Sequence, residues 1–307
     1  MQFDRRTILA GSAAVGLSAC MRTVPTTQSV AANTAMAELE VKAGGRLGSF
    51  MLDTASRKST GHRHDELFGM CSTFKLTLAA AVLEAGQRGT VDPSKMLAFT
   101  KADIVANSPA TNANLEKGAM SMLAMAEAIQ KTSDNTAANL LIREFGGPEA
   151  VTRTFRSWGD KVTRLDRYEP AMNNVPPGEV RDTTSPRAFA QIMARLLSTD
   201  SILQSAARER LIQWMIDTKT GSERIRAGLP SSWRAGDKTG TGWGSTYNNK
   251  TNDVAIFWPP ARPPVIVTAY YEADGRYDEI RDADQAVLAE VGRIAAAQAV
   301  QWHRELD

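Results

Sequence analysis

The chain has 307 residues, of which 43% are hydrophobic and 23% charged, with a formal net charge of +2. That is enough chain for one large domain or two intimate ones with a real core, and the composition excludes a disordered or fibrous protein. So small and evenly spread a charge, with no long basic run interleaved by aromatics, carries no footprint for nucleic acid.

At the N-terminus, Arg5-Arg6 precede an apolar stretch from Ile8 to Ala19 that ends at Cys20. The stretch is too short and too rich in Gly and Ala to span a bilayer as a mature helix, and it reads as an export signal. The paired arginines suggest the twin-arginine route. Leu17-Ser18-Ala19-Cys20 resembles a lipobox, in which the cysteine is lipidated after cleavage. An ordinary signal peptide with an incidental cysteine is the alternative. The expectation is an exported, periplasmic protein, with a membrane anchor if Cys20 carries a lipid. With Cys20 cleaved off or lipidated, Cys71, the only other cysteine, has no partner, so no structural disulfide is expected.

Residues 21–33 are polar and read as a tether. Thr34 to Lys42 reads as a helix with Ala35, Met36 and Leu39 on its apolar side and a stop at Gly44-Gly45. Arg46 to Asp53 and Lys58 to Arg63 predict two strands joined by a turn. A mostly helical region follows. Ser72 to Ala85 has no Gly or Pro, and Leu76, Ala79, Ala80 and Leu83 mark an apolar face. Ser121 to Lys131 and Asn135 to Phe145 predict two more helices, the second closed by Gly146-Gly147, with Pro148 where a first helical residue is tolerated. Ser185-Pro186 open another helix by the same cap logic, and Ser205 to Ile216 adds one more. The texture then becomes β-rich at Arg234 to Thr241, Asp253 to Trp258 and Val265 to Glu272, before a closing helix from Gln285 to His303.

Strands near both ends with helices between them predict an antiparallel sheet built from both chain ends and flanked by helices, α/β in character, with an inserted all-α domain. The boundaries read as 1–33 for signal and tether, 34–66 with 219–307 for the α/β domain, and 67–218 for the helical domain.

Some chemistries have no support. There is no G-x-S-x-G elbow, and the histidines are only His62, His64 and His303. His62-Arg63-His64-Asp65 resembles the start of a metal site, but one further, distant histidine is a poor supply of ligands; a solvated strand end is the simpler reading. No local pattern supports a Ser-His-Asp triad.

Three short motifs carry more. In Ser72-Thr73-Phe74-Lys75, residues three apart share a helix face, so the Lys75 ammonium can reach the Ser72 hydroxyl. A helix start at Ser72 would add the positive end of the dipole, and burial can lower the lysine pKa until it serves as a base. Alone, this spacing arises by chance in a chain of this size. Ser133-Asp134-Asn135 lies between two predicted helices, where an N-cap cluster would explain it. Lys238-Thr239-Gly240 lies on a predicted strand and is unremarkable by itself.

Together, in this order and on these elements, the three form the set that marks class A β-lactamases and penicillin-binding proteins. From about residue 34 onward the chain resembles these penicillin-recognising serine enzymes. A second feature separates the two. Arg164-Leu165-Asp166-Arg167-Tyr168-Glu169-Pro170-Ala171-Met172-Asn173 looks like the class A omega loop. A base is needed to hydrolyse the acyl-enzyme, and Glu169 matches the family's water-activating carboxylate.

The resemblance implies a β-lactamase/transpeptidase-like fold and hydrolysis of penicillins and cephalosporins through an acyl-serine intermediate. It implies Ser72 as nucleophile, with Lys75, or Glu169 through water, taking its proton; the two stay open. Ser133 would pass a proton to the leaving nitrogen, aided by Lys75 and Lys238. Asn135 would bind the side-chain amide, and Asn173 would help hold the water. Lys238, Thr239, Gly240 and Thr241 would line the carboxylate end, with the backbone N–H groups of Thr241 and Ser72 as an oxyanion hole. Arg224 matches a position where some members place a carboxylate-binding arginine; others supply it from the strand after Lys-Thr-Gly, where this chain has Tyr247. Asp182 matches the loop's far anchor, paired with Arg167, and Glu169-Pro170 is a candidate cis bond. Cys71 is expected to be a buried, inert thiol. No metal or organic cofactor is expected, and the partners are small-molecule β-lactams bound by a monomer.

Departures from the family pattern bear on substrate range. Asn107 stands before Ser108-Pro109 where the family usually has an aromatic. Gly242 replaces the cysteine that pairs with the Cys71 position in some members. Thr246 to Lys250 looks longer than the usual connection. Rival readings are a D,D-peptidase or transpeptidase, which gives no reason for Glu169 and Asn173, a non-catalytic β-lactam sensor, and a zinc hydrolase.

Overall fold

The structure, a computed structural model, describes residues 27–243 and 247–304. The export signal with Arg5-Arg6 and Cys20 lies outside the described residues, as does Thr246 of the connection before Lys250. In chain order the elements are α1 (Thr27–Ala43), β1 (Arg46–Asp53), β2 (Ser59–His62), β3 (Phe68–Gly69), α2 (Phe74–Gln87), β4 (Met96–Ala98), α3 (Pro109–Ala113) and β5 (Ala119–Ser121). Then come α4 (Met122–Lys131), α5 (Asn135–Glu144), α6 (Pro148–Ser157), β6 (Thr183–Thr184), α7 (Pro186–Leu197) and α8 (Ser205–Ile216). The chain closes with β7 (Arg234–Gly242), β8 (Lys250–Trp258), β9 (Val265–Glu272) and α9 (Asp282–Arg304).

The main sheet runs β2-β1-β9-β8-β7, and every pairing in it is antiparallel. Arg46 faces Glu272 at one end of the β1–β9 pair, and Lys250 faces both Glu272 and Gly242. The sheet is thus assembled from both ends of the chain, as the sequence predicts. Side chains alternate along each strand, so one hydrophobic set faces each way. Leu47, Met51, Phe257, Val265, Val267 and Tyr271 pack with Leu288, Val291 and Trp302 of α9. Phe50, Leu52, Val254, Ile256, Ile266 and Tyr270 face the other way, into a core shared with the helices between Phe74 and Met215. Full burial of each large side chain is worth about 1.5–3 kcal/mol, so both faces are needed.

The tether expected over residues 21–33 is wrong from Thr27 onward, because α1 begins there. Ala32 and Met36 are buried in the core that α9 covers, and burial against a neighbouring helix outweighs the polar local composition.

The helix starts follow the cap residues. Ser121 accepts from Ala124 N, Asp134 from Ala137 N and Ser185 from Ala188 N. Helix α2 is buried from Phe74 through Leu83, the pattern of a helix surrounded on all sides. Its start is preceded by a one-turn 3-10 segment, Cys71–Thr73, which lies against β7. A Cβ added at Gly240 would come within 2.7 Å of the Met70 carbonyl oxygen, so only glycine lets the strand approach this closely.

Candidate active site

Four segments converge on one cavity of about 700 Å³: the turn at Ser72, the loop between α4 and α5, the loop carrying Glu169, and β7. Three of them hold non-glycine residues at positive φ: Cys71 at 46°, Ser133 at 58° and, at the end of the loop carrying Glu169, Asp182 at 58°. Such conformations cost about 1–3 kcal/mol each and persist only where surroundings over-determine them. The Ser133 carbonyl is fixed by Lys75 Nζ at 2.9 Å and by Asn107 Nδ2 at 3.1 Å.

Lys75 is fully buried. Its Nζ donates to Ser72 Oγ at 2.8 Å and lies 3.0 Å from Glu169 Oε1. It also contacts Ser133 Oγ at 3.4 Å and, closely, Asn135 Oδ1. Burial pushes the Lys75 pKa down, and the neighbouring Glu169 charge pulls it back up.

Glu169 is held from three sides. Asn173 Nδ2 donates to its Oε2 at 2.6 Å. Asn139 grips its backbone twice, accepting from the Glu169 N–H at 2.9 Å and donating to the Glu169 carbonyl at 2.9 Å. The sequence reading missed Asn139; its signal was an amide four residues after Asn135, on the same face of one predicted helix. The Glu169-Pro170 bond is cis. At the neck of the loop, Asp182 accepts from Arg167 Nε at 2.6 Å and from the N–H groups of Asp166 and Arg167 at 2.7 and 3.0 Å. Asp166, missed as an anchor, accepts at its Oδ2 from the Asp182 N–H at 3.0 Å.

On β7, Lys238 is fully buried and donates to Ser133 Oγ at 3.1 Å and to the Thr239 carbonyl at 2.7 Å. Burial first, and the Lys75 charge second, pull its pKa down to about 7. Thr239 shares a hydrogen bond of 2.7 Å with the hydroxyl of Thr220, another residue the motifs did not reveal. Asn252 on β8 donates to the carbonyls of Gly69 and Met70, tying the sheet to the chain that enters the Ser72 turn.

Arg224 reaches this end of the cavity, but not with a free fork. Its Nη1 donates to the carbonyls of Gly240 and Asn252 at 3.1 and 2.8 Å, and its Nη2 to Thr241 Oγ1 at 2.7 Å. The bidentate grip that a planar guanidinium invites is therefore largely turned onto the protein. Asn135 is similarly engaged, with Nδ2 on the Ala106 carbonyl at 2.8 Å. At the mouth, Trp243 and Ile280 are 48% and 40% exposed, and Asn107 lines the same cavity.

Cys71 is buried and free, and burial pushes its thiol up to about 12. The three histidines lie apart on other partners: His62 on Glu40, His64 on the Gly61 carbonyl, His303 on Asp53. Among the described residues no group of three His, Cys, Asp or Glu could hold a metal ion.

Comparison with known proteins agrees with this geometry. The model of the β-lactamase enzyme family matches residues 31–299. The chain is 43% identical over 272 residues to Beta-lactamase L2 of Stenotrophomonas maltophilia, covering 88% of this chain and 87% of that one. Among solved structures, an ancestral class A β-lactamase (GNCA) superposes with a TM-score of 0.81 at 46% identity, covering 87% of this chain and 99% of that chain. A β-lactamase from Burkholderia vietnamiensis gives 0.82 at 44% identity, covering 88% and 97%. Similarity of this extent, over a serine site of this kind, shows that the chain belongs to the class A β-lactamases, hydrolases that open β-lactam antibiotics through an acyl-serine intermediate.

Proposed function

We propose that Ser72 attacks the lactam carbonyl and that Glu169 later activates the water that cleaves the resulting ester. The observation that carries this reading is the meeting of three groups: Ser72 Oγ lies 2.8 Å from Lys75 Nζ and 3.2 Å from Glu169 Oε1. The Ser72 proton has two acceptors within reach, Lys75 and Glu169. The depressed pKa of buried Lys75 suits it to take a proton. Ser133, bridged between Lys75 and Lys238, hands a proton to the leaving ring nitrogen. The backbone N–H groups of Ser72 and Thr241 take the developing oxyanion. Asn135 binds the side-chain amide through its remaining Nδ2 proton. Lys238, Thr239 and Thr241 hold the substrate carboxylate beside the Gly240 carbonyl, with Arg224 fixing the Thr241 hydroxyl. Asn173 positions Glu169, and through it the hydrolytic water.

The organisation fits this chemistry. Two cores, one on each side of the sheet, support an α/β unit that begins with α1 at Thr27 and comprises 27–66 with 219–307, and a helical unit of 67–218, with the cavity between them. Arg5-Arg6 and the apolar stretch ending at Cys20 support export to the periplasm by the twin-arginine route, with lipid attachment at Cys20. No helix among the described residues is long and apolar enough to cross a membrane. The protein acts as a monomer.

Nitrocefin turnover, with and without EDTA, tests the reaction. Turnover unaffected by the chelator is expected, and loss of activity with EDTA would reject the metal-free serine mechanism.

A further inference from the structure

Asp237, Thr239 and Thr241 share one face of β7, and Asp253 lies opposite Thr239 on the same face. Arg224 and Arg226 cover that face, while Lys238 points through the other toward Ser133. Asp237 and Asp253 are both fully buried. Asp253 Oδ2 accepts from the Ile225 N–H at 3.1 Å. Asp237 Oδ1 lies 2.6 Å from Arg226 Nε, but that N–H is not aligned with it. Among the described residues, neither oxygen of Asp237, nor Oδ1 of Asp253, receives a hydrogen bond from an N–H or O–H group. The register of β7 and β8 sets the two carboxyls diagonally on that face, Asp253 opposite Thr239 and Asp237 two residues before it, near enough for each to shift the other's hold on a proton.

Two buried carboxylates this near each other do not both stay ionised. A proton on one of them supplies the missing donor and satisfies an oxygen on each. Asp253 already accepts a backbone N–H, whereas Asp237 has no aligned donor, so the proton belongs on Asp237. The electrostatics agree: burial first and the Asp253 charge second push Asp237 well above the carboxylate range. Burial weakens the hold of Arg224 on its own proton, and the Asp253 charge does most to restore it.

We propose that Asp237 and Asp253 share one proton and act as positioning residues for the substrate carboxylate: Asp237 donates to Asp253, Asp253 carries the charge, and the cluster with Arg224 and Arg226 keeps one net positive charge behind Thr241. With both acids ionised the two guanidinium charges would be cancelled, and Arg224 would offer the substrate no field. Glycine at 221 belongs to the same device, since a Cβ there would fall 1.7 Å from Asp237 Oδ2. The proposal rests on the carboxylate-binding role of Arg224 and Thr241.

Infrared spectroscopy of the full chain at pH 7 tests it directly. A carboxylic-acid carbonyl band that shifts in D2O is expected in the wild type and absent in Asp237→Asn, because the remaining acid then ionises. No such band in the folded wild type, or a band unchanged in Asp237→Asn, overturns the proposal. Steady-state kinetics give the second arm. Asp237→Ala is expected to raise KM for benzylpenicillin about tenfold, with little change for its methyl ester. Asp237→Asn, which keeps a donor but no charge, should recover most of that loss. If Asn is as damaging as Ala, the charge of Asp237 matters and the shared proton is refuted. If Ala does not fold, the infrared result decides alone. A failure of the underlying carboxylate reading looks different: the band is present, but Arg224→Ala affects acid and ester alike.

Discussion

The hydroxyl of Ser72 donates to Oε1 of Glu169 across 3.2 Å, while the other oxygen of that carboxylate is held by Asn173 at 2.6 Å. One carboxylate thus reaches both the nucleophile and the space in front of it. That is what an enzyme needs if acylation and deacylation occur at the same carbon. The contact depends on residues 97 positions apart in the chain, and it is made possible by Asn139 clamping the Glu169 backbone from α5.

Removing the nucleophile should abolish turnover. Ser72→Ala is expected to lower kcat for nitrocefin by about a thousandfold or more, since nucleophile and base act as a unit. Retention of most of the activity would remove Ser72 from the mechanism.

Glu169→Ala should separate the two half-reactions. Acylation can still proceed through Lys75, so an adduct of the substrate's mass is expected to persist on the protein for minutes, seen by intact-mass spectrometry. Asn173→Ala should slow deacylation less, because Glu169 keeps its grip on Asn139 and Lys75. Fast steady turnover of Glu169→Ala without adduct would contradict the assignment.

Arg224 donates to Thr241 at 2.7 Å, and the proposed mechanism has it act on the substrate through that hydroxyl. Arg224→Ala should raise KM and lower kcat/KM more for carboxylate-bearing penicillins than for an ester analogue. Arg224→Lys should recover little, because one ammonium cannot replace three directed bonds onto Gly240, Asn252 and Thr241. Equal losses for acid and ester would refute the role.

Lys238 predicts opposite pH trends for activity and stability. Its pKa is about 7 in the folded protein against an ordinary lysine value of 10.5. The ammonium is the form that meets a carboxylate, so kcat/KM should fall as pH rises through about 7. Between those two values the unfolded chain binds more protons than the folded one, so this group's contribution makes stability rise with pH. Lys238→Met should therefore lose activity yet raise the melting temperature at pH 6, and raise it less at pH 9. A lower melting temperature at pH 6 would show that the two bonds made by Nζ outweigh its desolvation.

Cys71 should behave as a packed, unreactive thiol. Burial pushes its pKa up to about 12, so DTNB should label it slowly in the native protein and fully after denaturation. A Cβ placed on Gly242 would lie 3.3 Å from Cys71 Sγ, close to the Cβ-to-sulfur span of a disulfide. Gly242→Cys, in a chain lacking the export segment with Cys20, is therefore expected to oxidise to a bridged protein with no DTNB-reactive thiol after denaturation. Two titratable thiols under oxidising conditions would show that the strand end does not face Cys71.

Much of this enzyme was legible in the amino-acid order. Local steric and hydrogen-bonding preferences put Ser121, Asp134 and Ser185 at helix starts, and turn-bounded, β-rich composition drew the strands from Arg46 and Val265. The three motifs and the Glu169 segment were readable because each is a short run whose members act within one turn or one strand. What the sequence could not decide were relations between distant segments. Whether residues 27–33 are helix depended on α9, more than 240 positions later in the chain, offering Ala32 and Met36 a place to bury. Whether Arg224 meets a ligand directly depended on which carbonyls lie within reach of its fork. That Asp237 and Asp253 must share a proton depended on β7 and β8 pairing in a register that brings two carboxyls together in a dry interior. Burial and charge proximity are properties of packed space, and a linear sequence specifies them only through the fold that brings those atoms into contact.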